Sequence, residues 1–539
     1  MAQTATELSE AYAMKGPALE LGSVVLEGKA FPDARVRMPL SMLNRHGLVA
    51  GATGTGKTKT LQLMAEQMSA AGIPVFLADI KGDVSGVAAP GADTERVRER
   101  ATDTGTVWTP TGFPAEFLSL GGLGAGLPVR ATMTSFGPVL LSKVLGLNET
   151  QESSLGLVFH FADKAGLPLL DLKDLRAVIH HLVSDEGKAD LTGLGGLSAA
   201  TAGVILRELI GLEGQGGDVF FGEPEFDTAD LLRVTPDGRG VLSVMGLAAV
   251  QDKPKLFSTF LLWLLADLFH DLPEVGDVEQ PKLVFFFDEA HLLFDDASEA
   301  FLDAIARTVR LIRSKGVGVF FVTQTPKDVP SEVLAQLGNR VQHALRAFTP
   351  DDAKALKATV GTFPKSEAYD LTELLTSMGI GEAAVTILSE RGAPTPVVWT
   401  RMRPPASSMA PLDPALLQAA VSASPLLADY AQSVDRDSAY ERLLARVAPP
   451  AAAPAQPEPA QPEPAQAAPQ QPESQPEPEQ RGRQESGDRG GGALSGILSS
   501  PVFKSFARSA ASAAGREITR SLFGTARRSR PRRRSSGGW

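Results

Sequence analysis

The octapeptide Gly51-Ala52-Thr53-Gly54-Thr55-Gly56-Lys57-Thr58 constrains this chain more than any other stretch of it. Its Gly-x-x-x-x-Gly-Lys-Thr spacing lets consecutive backbone N–H groups turn inward around an anion, because glycine adopts angles that other residues resist. A helix that starts where such a loop ends adds its positive N-terminal end to the same anion. The flanks agree with this reading. Leu48-Val49-Ala50 is a short apolar run, Lys59 to Ala71 has helical apolar spacing, and Pro74 to Ala78 reads as a second strand ending at Asp79. Strand, glycine loop, helix and strand in that order predict an α/β fold with a mainly parallel sheet.

The ligand such a loop takes is a nucleoside triphosphate, here expected to be ATP. Gly51 to Thr58, together with Lys59, would surround the phosphates; Lys57 would reach the β- and γ-phosphates, and the Thr58 hydroxyl would ligate Mg²⁺. Binding alone is not hydrolysis. The second half of a hydrolytic site is Leu283 to Phe287 followed by Asp288-Glu289. An apolar strand buried on both faces would deliver Asp288 to the C-terminal edge of the sheet, where open α/β sheets bind ligands. Asp288 would then hold Mg²⁺, and Glu289 would orient and deprotonate the attacking water. The plainer reading, two acids capping a helix from near Ala290, is compatible with this one.

Another strand, Val317 to Val322, leads into Thr323-Gln324-Thr325-Pro326, after a helix expected from Ser298 to Lys315. Gln324 at a strand tip could touch the γ-phosphate or the lytic water; it could equally be a turn residue before Pro326. Arg307, Arg310 and Arg313 recur every three residues and share a helix face, a pattern usual for a solvated surface, although one could serve as an arginine finger. Arg45 is a further basic residue ahead of the loop strand, and His46 and His291 read as structural. Asp79-Ile80-Lys81-Gly82 matches the Asp-x-x-Gly of a GTPase, but the chain has no Asn-Lys-x-Asp to read guanine. An ABC-type signature is also missing from the body, its nearest string being Leu494-Ser495-Gly496-Ile497.

The chain has no cysteine, which excludes disulfides, thiolate-bound metals and thiol catalysis and fits the cytoplasm. Met1 to Lys15 lacks the apolar centre of a signal peptide, and Phe257 to Phe269 is too short and too interrupted for a membrane span, so it reads as a buried helix. Residues 96–244 carry helical periods at 135–165, 171–184 and 198–213 between glycine-rich turns, which predicts a mainly helical insertion in a core formed by 17–95 and 245–405. A helical segment closes the folded part over 406–447, with Asp413 as N-cap and Pro414 in the first turn. Residues 448–493, rich in Ala, Pro, Gln and Glu, have too few apolar side chains to offset their ordering entropy and read as a disordered linker.

Several of these strings resemble one family. Arg45-His46-Gly47 running into the glycine loop, Asp79 to Asp83, Phe286 to His291, Arg313-Ser314-Lys315-Gly316 and Thr323 to Pro326 are similar to those of the HerA/FtsK class of P-loop motor ATPases. The closest likeness is to the bacterial branch of HerA-like proteins; Leu147 to Gln151 and Gln336 to Thr349 share it, and the likeness covers about residues 17–405. The resemblance implies a RecA-like core with a helical insertion, ATP hydrolysis, and a homo-oligomer, as a hexameric ring, acting on duplex DNA. It implies catalysis by Asp288 and Glu289, Lys57 and Thr58 on the nucleotide, and Gln324 as sensor. It also implies Arg313 at the nucleotide edge in cis and Arg45 offered across a subunit interface. Archaeal members carry an N-terminal β-barrel that assists assembly and contacts a nuclease. The stretch ahead of the loop strand is too short for that barrel, which weighs against a nuclease partner and against ring formation.

The charge is unevenly spread. Residues 494–539 hold ten basic side chains and one acid, about +9, while the formal charge of the whole chain is −11. Phe503, Phe506, Ala510, Ala513, Ile518 and Leu522 at helical spacing predict a basic amphipathic helix there, followed by an arginine cluster from Arg527 to Arg534. DNA phosphates, an anionic membrane surface and the acidic body of the same protein are its three candidate partners. Two functions follow: an ATP-driven DNA translocase or helicase, or an ATP-dependent switch or scaffold that moves no DNA.

Overall fold

The computed structural model describes residues 2–447 except Asp277 and Asp296. The expectations for 448–493 and 494–539 therefore fall outside the described residues. Parallel strands buried on both faces must be apolar throughout rather than alternating, and the sequence meets that demand at Leu283–Phe287 and Val317–Thr323, where every residue is buried. Their phenyl rings interlock: Phe286 stacks on Phe320 with centroids 5.1 Å apart, and Phe76 of the neighbouring strand lies 5.2 Å from Phe285. Each such ring, fully buried, contributes on the order of 1.5–3 kcal/mol.

Among the described residues one twelve-stranded sheet runs through the protein. Its strands in chain order are β1 (Ala18–Leu26), β2 (Lys29–Pro39), β3 (Gly47–Ala50), β4 (Val75–Asp79), β5 (Ala115–Leu120), β6 (Leu127–Val129), β7 (Leu242–Gly246), β8 (Leu283–Phe287), β9 (Val317–Thr323), β10 (Asn339–His343), β11 (Glu382–Thr386) and β12 (Val398–Met402). In space the order is β2-β1-β12-β11-β10-β3-β9-β8-β4-β7-β5-β6. From β10 to β6 every pairing is parallel, and from β10 back to β2 every pairing is antiparallel. The glycine-loop strand β3 thus sits centrally, and β9 separates it from β8.

The expected insertion is not wholly helical, although a helix, Glu95–Asp103, opens it. Met133–Val144, Glu149–Lys164, Leu172–Val183 and Ala199–Leu212 are helices, but the two flanks supply β5, β6 and β7 to the sheet. The segment of helical period over 135–165 is divided. Gly146, at φ 66, ends the first part, and a capping box between Asn148 and Gln151 starts the second. Helix Pro254–Asp271 is buried along most of its length as anticipated, and among the described residues no helix is long and apolar enough to cross a membrane. In 406–447 the helical segment breaks into Pro414–Ser422, Leu427–Tyr430 and Ala439–Val447, with the Asp413 carboxylate capping the Ala415 N–H.

Candidate active site

All parallel strands end on one edge of the sheet, and that edge collects the expected site. β3 ends at Ala50 and the loop begins at once, with the Gly51 N–H donating to both Thr323 O and Gln324 O at 3.2 Å. Ala52 donates to Ala344 O at 2.8 Å, beyond the end of β10, so the loop is clamped by the strands on both sides of β3. Gly51 cannot carry a side chain there: its φ is 154, and a Cβ would stand 2.5 Å from His343 Cβ. Helix Lys57–Ala70 then starts on Gly56, at φ 113, without any side-chain cap. The first-turn N–H groups, including those of Thr58 and Lys59, have no acceptor within the helix and point out of its start, as an anion site requires. Thr53 and Gly54 form the exposed crest of the loop, while Thr55 is buried and closes it by donating its hydroxyl to Ala52 O at 2.7 Å.

Lys57 is buried and folds back to donate to Ala52 O at 3.2 Å. Burial lowers its pKa, against the nearby charges of Glu289, Asp288 and Asp328 that favour its cation. Lys59 differs: its ammonium is directed to Gln62 Oε1 at 3.2 Å and Asp83 O at 3.5 Å, which leaves its main chain for the phosphates.

β8 delivers Asp288 and Glu289 to the same edge, both nearly fully buried. Burial, then the neighbouring Glu289, pushes the Asp288 carboxyl up to about 7. Its Oδ1 accepts the Glu289 N–H at 3.0 Å, whereas Oδ2 is buried with no hydrogen-bond partner among the described residues. A buried, unpartnered carboxylate oxygen next to the Lys57 cluster is a donor waiting for a hard cation, and with the Thr58 hydroxyl it makes a donor set suited to Mg²⁺. Glu289 has φ 46, a left-handed conformation that costs a non-glycine residue roughly 1–2 kcal/mol. The helix expected to begin near Ala290 is only His291–Phe294, so capping does not account for the strain.

Gln324 follows directly on β9 with an exposed side chain, between the loop strand and the strand of the two acids. Its backbone is fixed by Asp328, which sequence reading passed over. The Asp328 carboxylate accepts from the Thr323 hydroxyl at 2.8 Å, the Thr325 N–H at 2.9 Å and the Thr325 hydroxyl at 2.8 Å. Two further residues were missed. His343 bridges the loop helix and β11, with Nε2 2.9 Å from the Thr60 hydroxyl and Nδ1 2.8 Å from Glu382 O. Lys81 is ion-paired with Glu289. His46 is structural as expected: its buried Nδ1 accepts the Val319 N–H at 3.1 Å, and burial takes its pKa down to about 4. His291 is less remote than expected, with Nδ1 3.3 Å from Glu289 Oε2.

The two arginines do not join this cluster. Arg313 begins the turn Arg313–Lys315 ahead of β9, and Arg45 ends the turn Leu40–Arg45 ahead of β3. Both therefore stand at the strand starts, on the edge of the sheet opposite the loop. For Arg313 the seven residues of β9 intervene, about 23 Å at 3.3 Å per residue. A position for Arg313 at the nucleotide of its own chain is thus not what the fold provides. Arg307 and Arg310 are exposed on their helix face.

A phosphate loop clamped between two parallel strands, with an Asp-Glu pair one strand beyond, defines a RecA-like P-loop ATPase. The family model for the helicase HerA-like C-terminal domain matches residues 25–531, and the chain belongs to that family. It is similar to the DNA double-strand break repair helicase HerA of Saccharolobus solfataricus, with 20% identity over 383 residues that cover 70% of this chain and 68% of that protein. The plasmid coupling protein TrwB in complex with ADP and Mg²⁺ matches with a TM-score of 0.50 at 16% identity, over 76% of this chain and 94% of that one. VirB4 of Thermoanaerobacter pseudethanolicus matches with a TM-score of 0.46 at 16% identity, over 72% of this chain and 97% of that one.

Proposed function

We propose that this ATPase is a motor that couples ATP hydrolysis to movement along duplex DNA, working as a homo-oligomeric ring. The observation that carries the motor reading is the junction at Gly51, whose single N–H is shared by Thr323 O and Gln324 O. A change at the phosphate loop has through it a direct path to the tip of β9, and from there into the turn held by Asp328. DNA as the track is supported by the likeness to HerA, a DNA double-strand break repair helicase. In the hydrolytic step the loop N–H groups and Lys57 hold the phosphates, and Glu289 orients the water and accepts its proton. Mg²⁺, held by Thr58 and Asp288, would neutralise phosphate charge when bound. Gln324 senses the γ-phosphate.

Neither Arg45 nor Arg313 reaches the loop of its own chain, so any arginine finger from this pair comes from a neighbouring subunit, and Arg45 is our choice. The basic tail, residues 494–539, is assigned to DNA phosphates. The test is the ATPase rate with and without duplex DNA, alongside Glu289→Gln. Stimulation by duplex supports the motor, and its absence favours a switch acting on a protein partner or membrane. Glu289→Gln should bind ATP and lose turnover by about 10²- to 10⁴-fold; wild-type turnover in that variant refutes the assigned base. Removing residues 494–539 should flatten the salt dependence of DNA affinity, and an unchanged slope sinks the tail assignment.

A further inference from the structure

The turn after β4 is the sequence motif that the nucleotide chemistry leaves without a role. Asp79 ends β4 and is buried, and its carboxylate accepts the N–H groups of Gly82 at 2.7 Å, Asp83 at 3.2 Å and Val84 at 3.0 Å. Three bonds to one carboxylate close the chain into a tight turn, with Gly82 at φ 75 and Lys81 at its crest. No part of the Lys81 side chain is needed to hold that turn. Because β4 pairs directly with β8, the crest stands beside the tip that carries Glu289, and Lys81 Nζ is ion-paired with Glu289 Oε1. His291 Nδ1 faces the other oxygen at 3.3 Å.

A general base must offer a carboxylate lone pair to water, and here the Lys81 ammonium lies within ion-pair distance of Glu289 Oε1, although neither Glu289 oxygen has a hydrogen-bond partner among the described residues. The pair is also asymmetric: the Lys81 side chain is 44% exposed and the Glu289 side chain 5%. The lysine can therefore leave for solvent or for another anion on its flexible stem, while the buried glutamate stays enclosed. Burial pulls the Lys81 pKa down, but its pairing with Glu289 outweighs this and the net direction is up. The ammonium also stands close enough to Lys57 to lower the affinity of that residue for its proton, so it shares the electrostatic neighbourhood of the phosphate loop. A triphosphate on the loop is the anion placed to draw it away.

We propose that Lys81 is a latch on the general base: it holds Glu289 back from water, and turnover waits on a competing anion drawing the ammonium off. Lys81 is thereby a positioning residue acting through Glu289, and the proposal rests on the assignment of Glu289 as the base. The test is steady-state ATP hydrolysis by the full-length chain without DNA, comparing wild type, Lys81→Met and Lys81→Arg. Lys81→Met keeps the stem and loses the charge. Removing a half-exposed ion pair should raise kcat by about two- to fivefold, with KM moving less than kcat. Lys81→Arg keeps the pair and should stay near wild type. In a Glu289→Gln background Lys81→Met should give no such rise, and a rise there would show an effect that does not act through Glu289. Unchanged or lower kcat in a Lys81→Met protein that still binds an ATP analogue overturns the latch. Lys81→Gln takes its place, under the same criterion, should the Met variant not fold. A wild type without ATPase activity would instead refute the ATPase assignment itself.

Discussion

Two glycines of the phosphate loop should respond differently to the same added methyl group. Gly51 has φ 154 and Gly54 φ 79, and in either region an L side chain costs on the order of 1–3 kcal/mol. Their surroundings differ. A Cβ on Gly54 meets no atom within 4 Å, whereas one on Gly51 would stand 2.5 Å from His343 Cβ and 3.1 Å from its Cα. His343 cannot yield easily, since its ring is held at 2.9 Å from the Thr60 hydroxyl and 2.8 Å from Glu382 O. Overpacking of this kind adds about 1–3 kcal/mol. Gly54→Ala should therefore cost about 1–3 kcal/mol and Gly51→Ala about 2–6 kcal/mol. The assay is urea unfolding of both variants beside wild type, with a fluorescent ATP analogue to follow nucleotide binding. Gly51→Ala should also weaken binding, because relief of the clash with His343 shifts the loop and draws the residue's N–H away from Thr323 O and Gln324 O. An unfolding midpoint for Gly51→Ala equal to or above that of Gly54→Ala would refute the steric argument.

Other perturbations test the surroundings of the loop. Glu66, buried on the loop helix, accepts the N–H groups of Ala406 at 2.7 Å and Ser407 at 3.1 Å and the Ser407 hydroxyl at 2.9 Å. Glu66→Ala leaves those donors unanswered and should cost about 3 kcal/mol, visible as faster hydrogen exchange at Ala406 and Ser407; retained protection contradicts it. Burial raises the Glu66 carboxyl to about 7 from 4.5, so the folded state holds the extra proton. Its stabilising share is complete below pH 4.5 and disappears as pH rises to 7, and Glu66→Gln should gain on wild type across that window. His46 has the opposite sign. Burial lowers it from 6.5 to about 4, so its contribution is present above pH 6.5 and lost as pH falls to 4. Relative to His46→Gln, wild type should lose up to about 3 kcal/mol over that interval in unfolding measurements, and parallel curves would show that the ring is not held neutral.

The centre of the fold was legible because its signals are local. The glycine loop, the apolar runs of β4, β8 and β9, and the Asp413 cap each announce themselves within a few residues. β5, β6 and β7 were not, since Ala115–Leu120 is short, includes Glu116 and owes its place to distant partners. Glu116 is buried in that strand by pairing at 2.6 Å with Arg233, more than a hundred residues on, which no window of sequence displays. The same holds for the antiparallel wing from β11 to β2, and for Lys81 against Glu289, which meet only because β4 lies next to β8.

The arginines are a different case, because their placement could have been reasoned from sequence. In a parallel sheet the residues just ahead of a strand lie at one edge, and the loops that bind ligands follow the strands at the other. Arg45 precedes the strand whose far end is the phosphate loop, and Arg313 precedes β9, whose far end is Thr323. Their sequence closeness to the motifs is thus evidence of distance from the nucleotide. The same rule works in favour of Lys81, which follows β4 and must emerge on the nucleotide edge. Lys327 after β9 and Arg346 after β10 emerge on that edge by the same rule, beside the cations of the loop and of the turn after β4. A contribution from Arg45 or Arg313 requires a second subunit whose strand-start edge approaches this site, so a finger from either entails assembly. Mixing Lys57→Ala subunits, which keep both arginines, with Arg45→Ala subunits, which keep the phosphate loop, should restore ATPase activity that neither shows alone.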